Sequence, residues 1–427
     1  MPETVTMSAT LAVDEILERR RRTGQRVLAM GSGEIGLPVH PLPAAALAGA
    51  VGENSYGPVA GSAALRAAVA GYWARRGLAC DPDLVVAGPG SKPLLYALLL
   101  AIGGDVVIPV PGWVSYSAHA HLAGARPIPV RTRPGEGGVP DPDLLREAVR
   151  TARAAGRQVR SVVVTVPDNP TGTVTASATV ARLAEVAREL DLVIVSDEIY
   201  CDLVFDTDDP APSPARFAPE RTVVTTGLTK SLALGGWRLG VARLPDGDHA
   251  LRERLVGVAS QIWSSPVAPV QVAATLAFSE PAELVEHVAA SRRLHAAVAR
   301  AVAGRLGAAG ALVSPVRATC YLYPDFEPLR EHLAQAHGVR TGPELTGWLL
   351  ERHGVGVLPG SAFGEPVHAL RLRASTSRLY GDTDEERTAA LAAADPLVLP
   401  WIRASLDRID EVLGDLVGPP VTTTAHP

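Results

Sequence analysis

The stretch RSVVVTVPDNPTG, from Arg160 to Gly172, decides the fold of this chain. Its first half is an apolar run rich in valine, which is typical of a strand buried on both faces. Its second half contains Asn-Pro and Thr-Gly, two pairs that favour a turn. A buried strand that ends in a turn without alternating polar positions is typical of a parallel sheet covered by helices.

The same pattern extends in both directions from this stretch. Strands are predicted at 85–87, 106–110, 192–196 and 222–226, and helices between them at 91–102, 114–123 and 176–190. This alternation predicts an α/β fold with a mostly parallel sheet. A helical region at 266–303, followed by strands near 320–323 and 370–373, predicts a smaller α+β domain. The glycine-rich segment 134–138 is predicted to be a surface loop, and residues 403–417 show a helical pattern without an assigned role. We expect an N-terminal arm with part of the small domain at 1–48, a large domain at 49–285 and a small domain at 286–427.

Three polar residues each follow the end of a predicted strand: Asn169, Asp197 and Lys230. Ligands of open α/β sheets bind at the carboxyl ends of the strands, so we expect a site where these residues meet. Each residue also has a plainer explanation. The asparagine suits a turn, the aspartate suits a helix cap and the lysine suits an exposed loop.

The lysine count points to Lys230 more strongly than its position does. The 427 residues include 40 Lys plus Arg, of which only Lys92 and Lys230 are lysines. Arginine cannot lose its proton at ordinary pH or form a Schiff base with a carbonyl compound, whereas a lysine amine can do both. The two lysines are therefore candidates for work that needs an amine.

Composition argues against several other classes of protein. The net charge of −5 provides no overall positive potential that would favour binding to nucleic acid or to an anionic membrane. The three cysteines are widely spaced, so neither a disulfide framework nor a metal site is expected. The sequence shows no signal peptide and no apolar run long enough to span a membrane, so the cytoplasm is the expected location.

Three motifs together resemble the fold type I aminotransferases that depend on pyridoxal 5′-phosphate (PLP). TGLTKSLALGGWRLG, from Thr226 to Gly240, resembles their PLP-lysine segment, and SDEIY and NPTG match the same family. The motifs stand in the family's order, with 28 residues from Asn169 to Asp197 and 33 from Asp197 to Lys230. The resemblance covers residues 25–400 and is strongest to the aspartate aminotransferase-like branch of class I/II. It implies a seven-stranded, mostly parallel sheet in the large domain.

The resemblance also implies the residues that hold the cofactor. Lys230 would carry PLP as a Schiff base and move a proton during the reaction, and Asp197 would keep the pyridine nitrogen protonated. Tyr200 and Asn169 would reach the phenolic oxygen, and Trp113 would stack on the ring. The phosphate would be held by Gly90, Ser91, Lys92, Thr229, Arg238 and, from the neighbouring subunit of a homodimer, Tyr56. Lys92 is equally compatible with contact to the substrate's side chain or with a solvated position.

For the substrate, the resemblance implies Gly33, Trp113, Asn169 and Arg371. Arg371 would bind the α-carboxylate, with Arg373 as the second choice, since both could hold a carboxylate by two hydrogen bonds. Position 227 departs from the family, because many members have a phosphate-binding serine where this chain has Gly227. Gly112 and Cys320 also replace bulkier residues, so the substrate is not inherited from the resemblance.

The resulting hypothesis is an aminotransferase that moves an amino group between an L-amino acid and a 2-oxo acid. The alternative keeps PLP but changes the outcome to elimination, replacement, cyclisation or oxidation of an amino acid. A PLP-fold regulator would need a DNA-binding domain, which the 25 residues before the resemblance are too short to form. Neither a nucleic-acid nor a membrane partner is expected.

Overall fold

The computed structural model describes residues 7–418. The helices are α1 (Ala9–Arg22), α2 (Pro41–Gly49), α3 (Ala63–Arg75), α4 (Ser91–Ile102), α5 (Ser115–Leu122), α6 (Pro142–Ala154), α7 (Ser177–Glu189), α8 (Leu228–Ser231), α9 (His249–Ile262), α10 (Ala268–Ser279), α11 (Ala282–Ala308), α12 (Arg330–His337), α13 (Gly342–His353), α14 (Asp384–Ala392) and α15 (Pro400–Val417). The strands are β1 (Leu28–Ala29), β2 (Val85–Gly88), β3 (Asp105–Val110), β4 (Pro127–Arg133), β5 (Glu136–Pro140), β6 (Val159–Thr165), β7 (Val193–Asp197), β8 (Thr222–Gly227), β9 (Gly240–Arg243), β10 (Tyr321–Leu322), β11 (Val355–Gly356), β12 (Leu358–Pro359) and β13 (Leu372–Ser375).

The main sheet has the strand order β2-β9-β8-β7-β6-β3-β4-β5. Strands β6, β7 and β8 are adjacent and parallel, with Thr165 opposite Asp197 and Asp197 opposite Thr225. Their carboxyl ends therefore lie at one edge of the sheet, where the chain continues to Asn169 and Lys230. The α/β class and the mostly parallel sheet predicted from the sequence are confirmed.

Both faces of this sheet are buried, which explains the unbroken valine runs. Val163 and Val195 pack into one apolar cluster, whereas Val162 and Ile194 pack into another on the opposite face. All four side chains are at most 1% exposed. Because successive residues of a strand point to opposite faces, a strand covered on both sides needs an apolar residue at every position.

The main sheet has eight strands rather than the seven expected, because the segment 134–138 is not a surface loop. Glu136–Pro140 forms β5, an antiparallel edge strand that pairs with β4. Gly137 lies against the buried side chain of Asp168 and the partly buried side chain of Thr171, where a Cβ atom would collide with both. Glycine inside a strand often marks such a close approach, and the glycines were wrongly interpreted as a loop.

The second region contains a three-stranded antiparallel sheet in the order β10-β13-β12 and a parallel pair of β1 with β11. Helix α11 begins against the main-sheet cluster at Leu284 and ends in the cluster of the second region at Leu306. The predicted helical run is divided at Glu280, which has a φ of 54°, and Pro281 follows it. The domain boundaries proposed from the sequence stay predictions.

Helix α15 gives the C-terminal helical pattern a structural role. Its apolar face, from Ile402 through Leu406 and Ile409 to Leu416, packs into the cluster of the second region. Within residues 7–418, no helix combines the length and the apolarity needed to cross a bilayer. The same part of the chain contains no group of three or more His, Cys, Asp or Glu residues arranged to hold a metal ion. The expected cytoplasmic location stays a prediction.

Candidate active site

A cavity of about 420 Å³ opens at the carboxyl edge of the main sheet, beneath the N-terminal helix α1. Most of the residues proposed from the sequence lie in its wall: Gly33, Ser91, Lys92, Trp113, Asn169, Asp197, Tyr200, Thr229, Lys230 and Arg238. The strand ends therefore bring together residues that are up to 205 positions apart, from Gly33 to Arg238. Three other proposed residues, Gly90, Tyr56 and Arg371, are not part of this wall.

Lys230 lies on α8, a single helical turn that follows β8 directly. Its Nζ atom donates a 2.5 Å hydrogen bond to the carbonyl oxygen of Gly33 and lies 5.5 Å from the ring centre of Tyr200. Burial lowers the pKa of Lys230 to about 8. A substantial fraction of this side chain is thus a neutral amine near pH 8, the form that attacks a carbonyl carbon.

Asp197 ends β7 and is 5% exposed. Its Oδ2 atom accepts a 2.9 Å hydrogen bond from the hydroxyl of Tyr116, which also contacts Thr165 at 2.6 Å. Its Oδ1 atom is buried and has no hydrogen-bond partner within the described residues. Burial raises the pKa of Asp197 to about 6. An unsatisfied buried carboxylate oxygen in a cavity wall is costly and marks a place where a donor is missing.

Asn169 is held by Arg373 from the opposite sheet. Nη1 of Arg373 donates a 2.9 Å hydrogen bond to Oδ1 of Asn169, and Nη2 donates a 2.5 Å bond to the carbonyl oxygen of Gly31. The guanidinium also lies 4.7 Å from the ring centre of Tyr321. Because the arginine occupies the amide oxygen of Asn169, the amide nitrogen is left to donate elsewhere.

The expectation that Arg371 lies in the site is corrected by its contacts. Its Nε atom lies 2.8 Å from a carboxylate oxygen of Asp325, and its Nη1 atom lies 2.8 and 3.0 Å from the two oxygens of Glu365. These two acids bind the guanidinium group of Arg371 outside the cavity wall. Arg373, the second choice, is the arginine in the cavity wall. The sequence alone could not distinguish Arg371 from Arg373, because the acids that bind Arg371 lie 46 and six residues away from it in the chain.

The N-terminus of α4 and the turn after α8 form one end of the cavity. Gly90 precedes α4 with a φ of 102°, and the first helical residue, Ser91, lies in the cavity wall with Thr229 and Arg238. Free backbone N–H groups at a helix N-terminus favour an anion. Lys92 lies 5.2 Å from the ring centre of Trp113, and burial together with nearby Arg238 lowers the pKa of Lys92.

Gly227, the departure from the family pattern, is explained by the packing of β8. A Cβ atom at this position would lie 2.7 Å from the carbonyl oxygen of Leu239 and 3.4 Å from Cδ1 of Ile199. The backbone of this chain therefore leaves no room for the serine found in many family members. Thr229 and Arg238 line this end of the cavity together with Ser91.

A family model for "Aminotransferase class I and II" matches residues 26–385. The chain belongs to this family. The aspartate aminotransferase of Geobacillus stearothermophilus is 34% identical over 394 residues, which cover 90% of this chain and 95% of that protein. The arginine–pyruvate transaminase of Pseudomonas aeruginosa is 32% identical and covers 79% of this chain and 82% of its own length. The recognition made from the motifs is confirmed.

Solved structures agree with the family match. The aspartate aminotransferase of Thermus thermophilus with maleate has a TM-score of 0.79 and 30% identity, covering 95% of this aminotransferase and 97% of that chain. The protein is thus an enzyme that transfers amino groups and has the fold type I architecture. Enzymes of this family depend on PLP.

Several cavity residues of the aminotransferase had no role in the sequence-based proposal. Tyr116 supports Asp197, and the hydroxyl of Tyr321 lies 2.7 Å from that of Tyr200. Asp14 and Thr10 of α1 also line the cavity. Tyr116 stands in the same string as Trp113 and could have been found there. No motif marks Asp14, since the helix reaches the cavity only through the tertiary fold.

Proposed function

We propose that this aminotransferase moves an amino group between an L-amino acid and a 2-oxo acid, with PLP attached to Lys230. The observation that carries the proposal is the unpartnered Oδ1 atom of Asp197 in the wall that also holds the amine of Lys230. The protonated ring nitrogen of PLP would supply the donor that this oxygen lacks. When bound, PLP withdraws electrons and so stabilises negative charge on the substrate carbon that loses its proton.

The remaining cavity residues fit the other parts of the cofactor. The amide nitrogen of Asn169 and the hydroxyl of Tyr200 would donate to the phenolic oxygen. Ser91 at the N-terminus of α4, Thr229 and Arg238 would hold the phosphate. Trp113 would cover the ring, since its own indole is held edge-on by Tyr116 at 5.3 Å between ring centres.

Lys230 would serve as general base and acid once the substrate's amine has replaced it. Its pKa of about 8 lets it exist as a neutral amine that accepts the proton from the substrate's α-carbon. The carbonyl oxygen of Gly33 gives Nζ a nearby acceptor while it is protonated. Arg373 would bind the substrate's α-carboxylate, because each terminal nitrogen carries a second N–H beyond the one bonded to Asn169 or Gly31.

The proposal includes a homodimer in which Tyr56 completes the neighbouring site. The Tyr56 side chain is 81% exposed and lies outside the cavity of its own chain. Val51, which is 79% exposed, lies in the same segment. A second copy that covers this segment would explain both exposed side chains.

Because the chain has only two lysines, the lysine that carries PLP can be identified directly. The protein would be incubated with PLP, reduced with borohydride and digested, and the labelled peptide would be identified by mass spectrometry. We expect the label on the peptide that contains Lys230, its loss in Lys230→Ala and its retention in Lys92→Ala. A label confined to Lys92, or a 2-oxo acid formed from an amino donor by Lys230→Ala at the wild-type rate, would contradict the proposal.

A further inference from the structure

The N-terminal helix presents a polar face to the cavity. Thr10 and Asp14 are one helical turn apart and both line the cavity, so they project from the same side of α1. Glu15, the next residue, is exposed and is not part of the wall. Asp14 is half-buried, and burial raises its pKa above the ordinary value. The helix therefore adds a carboxyl group to the substrate side of the cavity.

The segment Gly31–Gly33 fixes where this carboxyl group lies. The first carbonyl of the segment accepts the 2.5 Å hydrogen bond from Arg373, and the last accepts the 2.5 Å bond from Nζ of Lys230. The hydroxyl of the middle residue, Ser32, faces the carboxyl group of Asp14 and lowers its pKa. Asp14 thus lies in the cavity wall beside the segment that contacts both Arg373 and Lys230.

Within the part of the chain that the structure describes, Asp14 forms no ion pair with the other charged residues around it, although the positive charges of Arg378 and Arg373 both lower its pKa. Glu34 is already in an ion pair with Arg378. Lys92 lies over Trp113, next to Arg238 at the phosphate end. Among the ion pairs formed within residues 7–418, none includes Asp14.

We propose that Asp14 selects the amino donor, and that the preferred donor is an α-amino acid whose side chain ends in a cationic nitrogen. This inference rests on the aminotransferase function proposed above. A carboxylate beside the substrate's side chain attracts a guanidinium or ammonium group and repels a second carboxylate. Hydrogen bonds between charged groups contribute enough to change kcat/KM roughly 10- to 100-fold.

Asp14→Asn is the decisive variant, because it removes the charge and keeps the size of the side chain. Glu15→Gln makes the same charge change on the same helix outside the cavity and serves as the matched control. For each protein loaded with PLP, single-turnover kinetics would give kcat/KM with L-arginine, L-ornithine, L-aspartate and L-alanine as donors, since the amino group passes to the cofactor as the 2-oxo acid forms. Asp14→Ser would replace Asp14→Asn if the latter did not fold.

We expect the wild type to prefer the two cationic donors to aspartate. In Asp14→Asn, their kcat/KM should fall roughly 10- to 100-fold relative to alanine, aspartate should rise relative to alanine, and Glu15→Gln should match the wild type. Equal losses for all four donors would show a structural role for Asp14 and overturn the inference. So would a wild type that uses aspartate or alanine but neither cationic donor. A wild type that converts none of the four donors would overturn it as well, whereas failure of the proposed function would show separately, as a missing borohydride label on Lys230.

Discussion

Nη1 of Arg373 lies 2.9 Å from Oδ1 of Asn169, and this hydrogen bond joins the small antiparallel sheet to the carboxyl edge of the main sheet. The bond orients two groups at once. It fixes the guanidinium against the cavity, and it turns the amide nitrogen of Asn169 towards the space where the cofactor's phenolic oxygen is expected. A substrate carboxylate bound to Arg373 would therefore lie at a fixed distance from the cofactor.

Replacing Arg373 should impair substrate binding, whereas replacing Arg371 should not. Lysine cannot form two parallel hydrogen bonds with a carboxylate. We expect Arg373→Lys to raise KM for the amino donor roughly 10- to 100-fold, the loss of one charge-assisted hydrogen bond. Arg371→Lys is the matched control, because its partners Asp325 and Glu365 lie outside the cavity. Steady-state kinetics with one donor would compare them, and an effect confined to Arg371→Lys would reverse the assignment.

Asp197→Asn should abolish activity and yet stabilise the protein when PLP is absent. Burial raises the pKa of Asp197 to about 6 in the folded state, above the ordinary value of 3.8. The folded state therefore binds the proton of Asp197 more tightly than the unfolded state does, so the free energy of unfolding falls as the pH rises from about 4 to 6. Above pH 6 the charged side chain costs the apoprotein about 3 kcal/mol. Asparagine avoids that cost while it still accepts the hydrogen bond from Tyr116.

Thermal unfolding at pH 8, measured without and with PLP, would test the expected effect of Asp197→Asn on stability. Without PLP, Asp197→Asn should have a higher Tm than the wild type. With PLP bound, the order should reverse, because the ring nitrogen then stabilises the charged carboxylate. A variant that is less stable than the wild type in both states would show that Oδ1 of Asp197 is not an unsatisfied charge.

Gly227→Ser should weaken cofactor binding although it restores the residue common in the family. The added Cβ atom would lie 2.7 Å from the carbonyl oxygen of Leu239, so β8 or the turn bearing Lys230 must shift. Overpacking of this kind costs about 1–3 kcal/mol. Gly257→Ser on α9 is the control, since no atom lies within 4 Å of its added Cβ. Equilibrium titration with PLP would give the affinities; tighter binding in Gly227→Ser would contradict the packing argument.

Local sequence was sufficient for the residues that follow the central strands. Asn169, Asp197 and Lys230 could be placed because each follows a buried run of valine, and the carboxyl ends of parallel strands must meet. The same reasoning failed for β5, since glycines are typical of a loop and only the fold shows that Asp168 and Thr171 pack against Gly137.

Residues that reach the cavity through long-range packing could not be assigned in this way. Arg371 and Arg373 are chemically equivalent in the sequence, and only Asp325 and Glu365 distinguish them in space. Asp14 lies on α1, which packs against β11 and β12, and Arg20 of this helix donates to the carbonyl oxygen of Leu350, 330 residues further along the chain. In neither case does the surrounding sequence show a propensity or periodicity that would identify the residue.

The rate at which the apoprotein captures PLP should depend on pH as expected for an amine of pKa about 8. Only the neutral amine attacks the aldehyde, so the rate rises with pH until Lys230 is deprotonated. Between pH 7 and 9 the neutral fraction of such a lysine grows about tenfold, whereas that of an ordinary lysine grows about a hundredfold. Stopped-flow absorbance would give the rates, with free N-acetyl-lysine measured in parallel to correct for ionisation of PLP. A hundredfold rise would show that burial does not lower this pKa.

Mixed dimers should test whether Tyr56 acts in the neighbouring subunit. If it does, a dimer of one Lys230→Ala chain and one Tyr56→Ala chain contains one complete site, because the intact lysine and the intact tyrosine meet across the interface. The other site in that dimer lacks both groups. Purified with two different affinity tags, this hybrid should recover about half of the wild-type activity per dimer, as two-fold symmetry requires. Both parent homodimers should be weaker than the hybrid, and a hybrid no more active than the mean of its parents would place Tyr56 outside the partner's site.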